Sequence, residues 1–110
     1  MVIDILTAAG IEHAHARFLR LPAGTCAVYF DDVEVTTADR VTAPAALPRI
    51  YKHNVTVEVY EPAPDDPSET ALEAELNARG LEWTKQDRYW LKDPQRYQTV
   101  YEFSYTTKSK

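Results

Sequence analysis

Between Tyr51 and Tyr60 the chain alternates with a period of two. Val55, Val57 and Val59 fall on one side, and Asn54, Thr56, Glu58 and Tyr60 on the other. Successive side chains leave a strand on opposite faces, so this stretch predicts a strand with one buried face. A second alternation closes the chain in "RYQTVYEFSYTTK". There Tyr97, Tyr101, Phe103 and Tyr105 share one face, while Val100, Glu102 and Ser104 share the other. Two such strands require a second layer to cover their apolar side. The stretch after the first strand, "DDPSETALEAELNARG", has the grammar of a helix that could supply it. Asp66 is expected at the N-cap, Pro67 at the first helical position and Glu69 at the third, as in a capping box. Leu72 and Leu76 form its apolar stripe, Glu73 and Glu75 are expected to face water, and Gly80 ends it.

The remaining segments fit around this frame. In "VIDILTAAG", Val2, Ile5, Leu6 and Ala9 follow helical spacing, and Gly10 stands where a left-handed cap is wanted. "IEHAHARF" alternates and predicts an extended segment, and Pro22 with Gly24 predicts a loop. "CAVYFDDVEVT" reads as a strand whose apolar positions change parity, from Cys26, Val28 and Phe30 to Val33 and Val35. A period of two changes parity only at an irregularity, so a bulge is expected at Asp31-Asp32. The Pro- and Ala-rich run at 37–49 predicts a long mobile loop at the tip of a hairpin between this strand and Tyr51–Tyr60. "LEWTKQDRYWLK" reads as one strand, "KDPQ" as a turn, and the terminal "KSK" as a frayed tail. Both helix ends share a glycine, an apolar residue and then Glu12 or Glu82, a faint echo that two ordinary glycine-terminated helices also explain. The expected architecture is a single α+β domain over 1–110: a mostly antiparallel sheet with a long hairpin and two helices packed on one face.

A chain of 110 residues can bury a core without disulfides or a metal. Cys26 is its one cysteine, so no internal disulfide can form. No apolar run approaches the roughly 20 residues of a membrane span. The first residues carry Asp4 and no basic run, so a secretory signal is not expected, and the sequon at Asn54 is read as chance. The net charge of −5 argues against general affinity for nucleic acid. The charge is unevenly spread. Eleven acidic residues lie between Asp31 and Glu75 against Arg40, Arg49 and Lys52, whereas seven basic residues face four acidic ones between Arg79 and Lys110.

Catalytic and ligand-binding patterns are weak. His13 and His15 would share a strand face and could hold zinc, but only Cys26 and His53 are available as further soft ligands, and no pair has structural-zinc spacing. Cys26 lies on an apolar-patterned strand, where an inert thiol is the ordinary state. Ser68 and Ser104 lack a nucleophile elbow. Asp31-Asp32 and Asp65-Asp66 read as bulge and cap rather than as an acid/base pair. No enzyme activity and no cofactor are expected. The aromatic residues of the last strand repeat on one face, as in a core or a protein interface rather than a base-stacking platform.

Taken in order, "MVIDILTAAGI", "CAVYFDDVEV", "IYKHNVTVEVYEP" and "ALEAELNARGLEWTKQDRYWLKDPQRYQTVYEFSY" resemble the tail terminator, or head–tail joining, minor tail proteins of long-tailed phages and prophages. The resemblance covers nearly the whole chain as a pattern, without a signature motif, and the loop Thr37–Arg49 is longer than the family pattern. It implies a virion protein at the head–tail junction, assembled in the bacterial cytoplasm as a homohexameric ring. Such a ring sits on the major tail tube protein, stops its polymerisation and meets the head-completion or connector protein, while DNA passes through the lumen. A head-completion adaptor or a tail-assembly chaperone is the neighbouring reading, and a small metal- or ligand-binding domain a more remote one. A ring needs two complementary patches on each subunit. The candidate interface residues are Arg40, Arg49, Glu58, Tyr60, Arg88, Arg96, Tyr101 and Tyr105. If the acidic and basic regions meet, charge reversal at Arg88 or Arg96 is expected to weaken the oligomer without unfolding the monomer.

Overall fold

The computed structural model describes residues 1–18, 20–37 and 49–108. The elements run α1 (Val2–Ala9), β1 (Glu12–His15), β2 (Cys26–Thr37), β3 (Arg49–Glu61), α2 (Asp66–Ala78), β4 (Trp83–Lys85), β5 (Tyr89–Leu91) and β6 (Arg96–Lys108). The strands form one sheet in the order β1-β2-β3-β6-β4, with β5 also on β6. All pairings are antiparallel except β1 with β2. The fold is α+β, and both helices pack on one sheet face. Of the hairpin-tip loop expected at 37–49, Thr37 and Arg49 are instead paired strand residues and 38–48 lie outside the described residues; of the frayed tail "KSK", Lys108 ends β6 and 109–110 lie outside them.

The alternation decides which face is covered. Val55, Val57 and Val59 of β3 are buried with Ala27 of β2 and with Tyr101 and Phe103 of β6, beneath Val2, Ile5 and Leu6 of α1 and Leu72 and Leu76 of α2. Full burial of each large apolar side chain here contributes about 1.5–3 kcal/mol. Each helix stops at a glycine in the left-handed region, Gly10 at φ 75° and Gly80 at φ 68°. At both ends the glycine amide and the next amide turn back into the last helical turn, Gly10 to Thr7 and Ile11 to Leu6, Gly80 to Asn77 and Leu81 to Leu76. The echo in sequence is thus a shared cap. It does not extend to topology, because β1 pairs parallel to β2 whereas β4 pairs antiparallel to β6.

Three local expectations are corrected. First, β2 has no bulge at Asp31-Asp32: its register with β3 is unbroken from Cys26↔Tyr60 to Thr37↔Arg49. The apolar parity changes because the surroundings change. Cys26 and Val28 are buried on the helix-free face, where Ala16, Phe18 and Leu21 of the segment after β1 come to lie near Val28. Val33 and Val35 point to the helix side but beyond the helices, and are 43% and 52% exposed. Second, α2 is capped one residue earlier than expected. Asp65 accepts the Ser68 amide at 3.0 Å, with Asp66 already helical. The Ser68 and Thr25 hydroxyls also donate to it, at 2.7 and 2.5 Å, and these bonds hold its carboxyl below the usual range. Third, "LEWTKQDRYWLK" is two strands separated by the irregularity that β2 lacks. Lys85 pairs with Tyr101 and Tyr89 with Gln98, so the three residues Gln86 to Arg88 stand opposite the two residues Thr99 and Val100. That is a bulge in an edge strand, and it re-aims the Arg88 side chain.

The strands outrun the helices. The molecule measures 54 × 28 × 22 Å, and its long axis is the sheet. Beyond Asp31, Val55 and Phe103 the strands β2, β3 and β6 continue as a three-stranded ribbon that neither helix covers.

Candidate functional site

Two groups of side chains stand out, one that ties the body together and one on the ribbon. The first gathers around Arg88. Glu61 ends β3 with no exposed surface, and Glu69 of α2 is 3% exposed. Arg88 Nε donates to Glu61 at 3.1 Å and to Glu69 at 3.0 Å, and its Nη2 donates to Asp66 at 2.7 Å and also to Glu69. Lys85 Nζ reaches Glu69 at 2.9 Å and Glu73 at 2.8 Å, and the Tyr101 hydroxyl donates to Glu73 at 2.7 Å. Glu73, expected in water, is therefore drawn inward. Four carboxylates thus meet two cations. Burial, with the neighbouring Glu69 carboxylate, pushes Glu61 up to about 7. Burial also acts to raise Glu69, but hydrogen bonds from Lys85, Glu61 and Arg88 outweigh it and hold that carboxyl down at about 2. The two shifts run in opposite directions, so of the two glutamates Glu61 is the one that takes up a proton first as pH falls. Burial and the carboxylates around it push the Tyr101 phenol far up.

This cluster joins the end of β3, the first turns of α2 and the bulge between β4 and β5. It is a clamp on the edge of the sheet. Its members have internal partners, and no buried side-chain polar atom among the described residues is left without one.

The second group crosses the ribbon. His53 of β3 lies between Asp31 of β2 and Thr107 of β6. Its Nδ1 faces the Asp31 carboxylate at 3.0 and 3.1 Å, and its Nε2 lies 3.2 Å from the Thr107 hydroxyl. A carboxylate only accepts, so Nδ1 carries a proton; in the neutral ring Nε2 then accepts from Thr107. The ring stacks on Tyr105 at 4.4 Å with the planes 2° apart. The order carboxylate, imidazole, hydroxyl is that of hydrolase triads. Here the three lie on an open sheet face with Thr107 exposed, so the arrangement is read as a cross-strand tie that stiffens the ribbon.

The ribbon's outer edges are the other feature of this region. β1 pairs only with Cys26 to Tyr29, so from Phe30 to Thr37 the outer edge of β2 has no strand beside it among the described residues. On the far side β4 reaches only Phe103, so β6 is uncovered from Ser104 to Lys108 in the same sense. Phe30, Val33 and Val35 add exposed apolar surface along the β2 edge.

The residues proposed from sequence as an interface are dispersed by the fold. Tyr101 is fully buried in the core and is not a surface residue. Arg88 is held in the clamp, and Arg96 donates to the carbonyls of Pro22 at 2.9 Å and Gly24 at 3.2 Å, fastening the segment between β1 and β2. Glu58 accepts from the Tyr60 hydroxyl at 3.0 Å on the helix-free face, and Tyr60 in turn accepts from Gln98 at 3.0 Å. Burial, then Glu58, pushes the Tyr60 phenol up to about 12. Tyr105 is half-buried on the ribbon against His53. Arg40 lies outside the described residues, and Arg49 is described only as the first residue of β3. Part of the acidic stretch and part of the basic one thus meet within one molecule, at Arg88 and Lys85.

His13 and His15 do share a face, both against the Tyr29 ring at centroid distances of 6.1 and 5.3 Å. Among the described residues no group of three His, Cys, Asp or Glu side chains is placed to hold a metal. Cys26 is buried, and burial raises its thiol. No helix among the described residues is long and apolar enough to cross a membrane. No family model matches the chain, and no curated protein matches it.

Proposed function

We propose that this protein is a structural subunit that builds a ring, and that the ring is a phage tail terminator: it caps the tail tube, stops its polymerisation and presents a surface to the head connector. The observation that carries the proposal is the ribbon. The far ends of β2, β3 and β6 project beyond the helices, with two edges on opposite flanks that are uncovered among the described residues and with exposed Phe30, Val33 and Val35 along one of them. An uncovered edge offers unpaired backbone donors and acceptors to another strand. A ring subunit instead needs two unlike surfaces, one for each neighbour. The clamp around Arg88 and the His53 tie suit this role, since they hold the body and the ribbon as rigid parts. The assignment to a phage tail rests on the sequence resemblance. In this reading the subunit acts at the head–tail junction, DNA passes through the lumen without specific binding, and assembly takes place in the host cytoplasm.

The test uses the tail tube protein from the same genome. Tubes polymerised with this protein present are expected to be shorter, each with added density at one end in negative stain. Tubes of unchanged length with bare ends would overturn the terminator role.

A further inference from the structure

The geometry points to a specific joint: we infer that copies assemble by laying the uncovered edge of β6 from one copy parallel to the uncovered edge of β2 from the next. The inference rests on the ring reading above and specifies its contact. Three observations support it. The first is level. Through their common partner β3, Asp32 stands level with Ser104, Glu34 with Thr106 and Thr36 with Lys108. A neighbour displaced sideways, with no rise along the strands, therefore brings the two uncovered edges together along that whole stretch.

The second is direction. β2 and β6 both run antiparallel to β3, so they run parallel to each other. Copies that repeat by rotation in a ring keep this sense, and the new pair is parallel. A two-fold dimer would instead pair β2 with β2, or β6 with β6, antiparallel. Direction thus distinguishes the ring from the dimer.

The third is charge. The uncovered stretch of β2 carries Asp31, Asp32 and Glu34. Two such edges side by side would set like charges against one another, which is destabilising on a sheet. From Phe103 to Lys108 β6 has no acidic residue, and its last residue is Lys108. The β6 edge is therefore the complementary partner for β2, and charge selects the head-to-tail joint over the two-fold one. Val33 and Val35 lie along the same edge and lose water contact when the joint forms.

Glu34 and Thr106 are exposed, so cysteines there leave the core intact, and Cys26 is buried away from reagent. The full chain is made as Glu34→Cys, Thr106→Cys and the double variant, each checked for an unchanged thermal melt, and treated with a short thiol-to-thiol cross-linker. The double variant is expected to give a ladder that ends at the ring. Each single variant alone gives monomer, and an equal mixture of the two singles gives dimer and nothing larger. Dimers from Glu34→Cys alone or from Thr106→Cys alone would overturn the inference in favour of a two-fold joint. Rings of the unmodified protein, seen by mass photometry, with no cross-link in the double variant would overturn this joint while leaving the ring. Neither rings nor cross-links would remove both.

Discussion

Arg88→Met lowers stability by about 3 kcal/mol at pH 7, the lower end of what breaking a buried ion pair costs. The reason lies in the groups left behind. Without the guanidinium, Glu61 and Glu69 stay buried against each other, and Asp66 loses its partner. The cost stays at the lower end because Lys85 still reaches Glu69 and because Glu61 can keep its proton. Urea unfolding of the variant and the parent, followed by circular dichroism, measures the difference. Lys85→Met costs less, since Lys85 is the more exposed cation and Arg88 still bonds both glutamates. Charge reversal at Arg88, which from sequence promised a folded monomer with weakened assembly, instead adds a fifth carboxylate to four and removes the fold. Reversal at Arg96 releases the segment that its guanidinium ties through Pro22 and Gly24.

Glu61→Gln flattens the pH dependence of stability. Glu61 has its carboxyl raised in the folded chain, from 4.5 to about 7, so between those values the folded state holds more protons than the unfolded one. A group of this kind contributes stability fully below its unfolded pKa and loses it as pH rises through the folded value. Glu69, lowered to about 2, acts in the opposite sense: its contribution is present above 4.5 and is lost as pH falls towards 2. Together these two groups place the parent's greatest stability near pH 4.5–5, with a decline to pH 8. At roughly 1.4 kcal/mol per unit, the Glu61 decline amounts to about 3 kcal/mol. Glutamine cannot ionise; its one oxygen keeps either the Arg88 or the Asp65 donor, and its amide nitrogen leaves the other without an acceptor, a cost that does not vary with pH. The variant therefore lacks the parent's decline from pH 5 to 8, and its curve is flatter whatever its absolute stability. Denaturant midpoints across that range measure it, and parallel curves for the two proteins would contradict the raised Glu61 carboxyl.

Much of the architecture was legible because it follows from local periodicity. The alternation around Val55, Val57 and Val59 located the central strand and its buried face. Leu72 and Leu76 located the helical stripe, and Gly10 and Gly80 located the helix ends. The errors share a physical cause, which is that a residue's surroundings change along an element. In β2 the parity change came from passing out from under the helices, with no irregularity in the chain. The cap moved from Asp66 to Asp65 because Thr25, distant in sequence, bonds the latter. The bulge at Gln86 to Arg88 shows no apolar signature, since its residues are polar.

The clamp was missed although its signal was present. Glu61 continues the parity of Val55, Val57 and Val59, and Glu69 lies three and seven residues before Leu72 and Leu76. Two acids in register with two apolar stripes predict two buried acids, which then require cations. Which cations could not be read locally, because Lys85 and Arg88 arrive from another strand and only the bulge turns Arg88 inward. The uncovered edges were equally hidden, since edge exposure depends on where β1 and β4 stop along longer neighbours.

Copies of this chain are proposed to join head to tail and close. Mass photometry across a concentration series, with negative-stain averages of the largest species, tests it most directly. Head-to-tail closure gives one discrete assembly, a six-fold ring with an open lumen, that grows in with concentration and weakens with salt. A monomer at every concentration, or a dimer that grows no further, would contradict it.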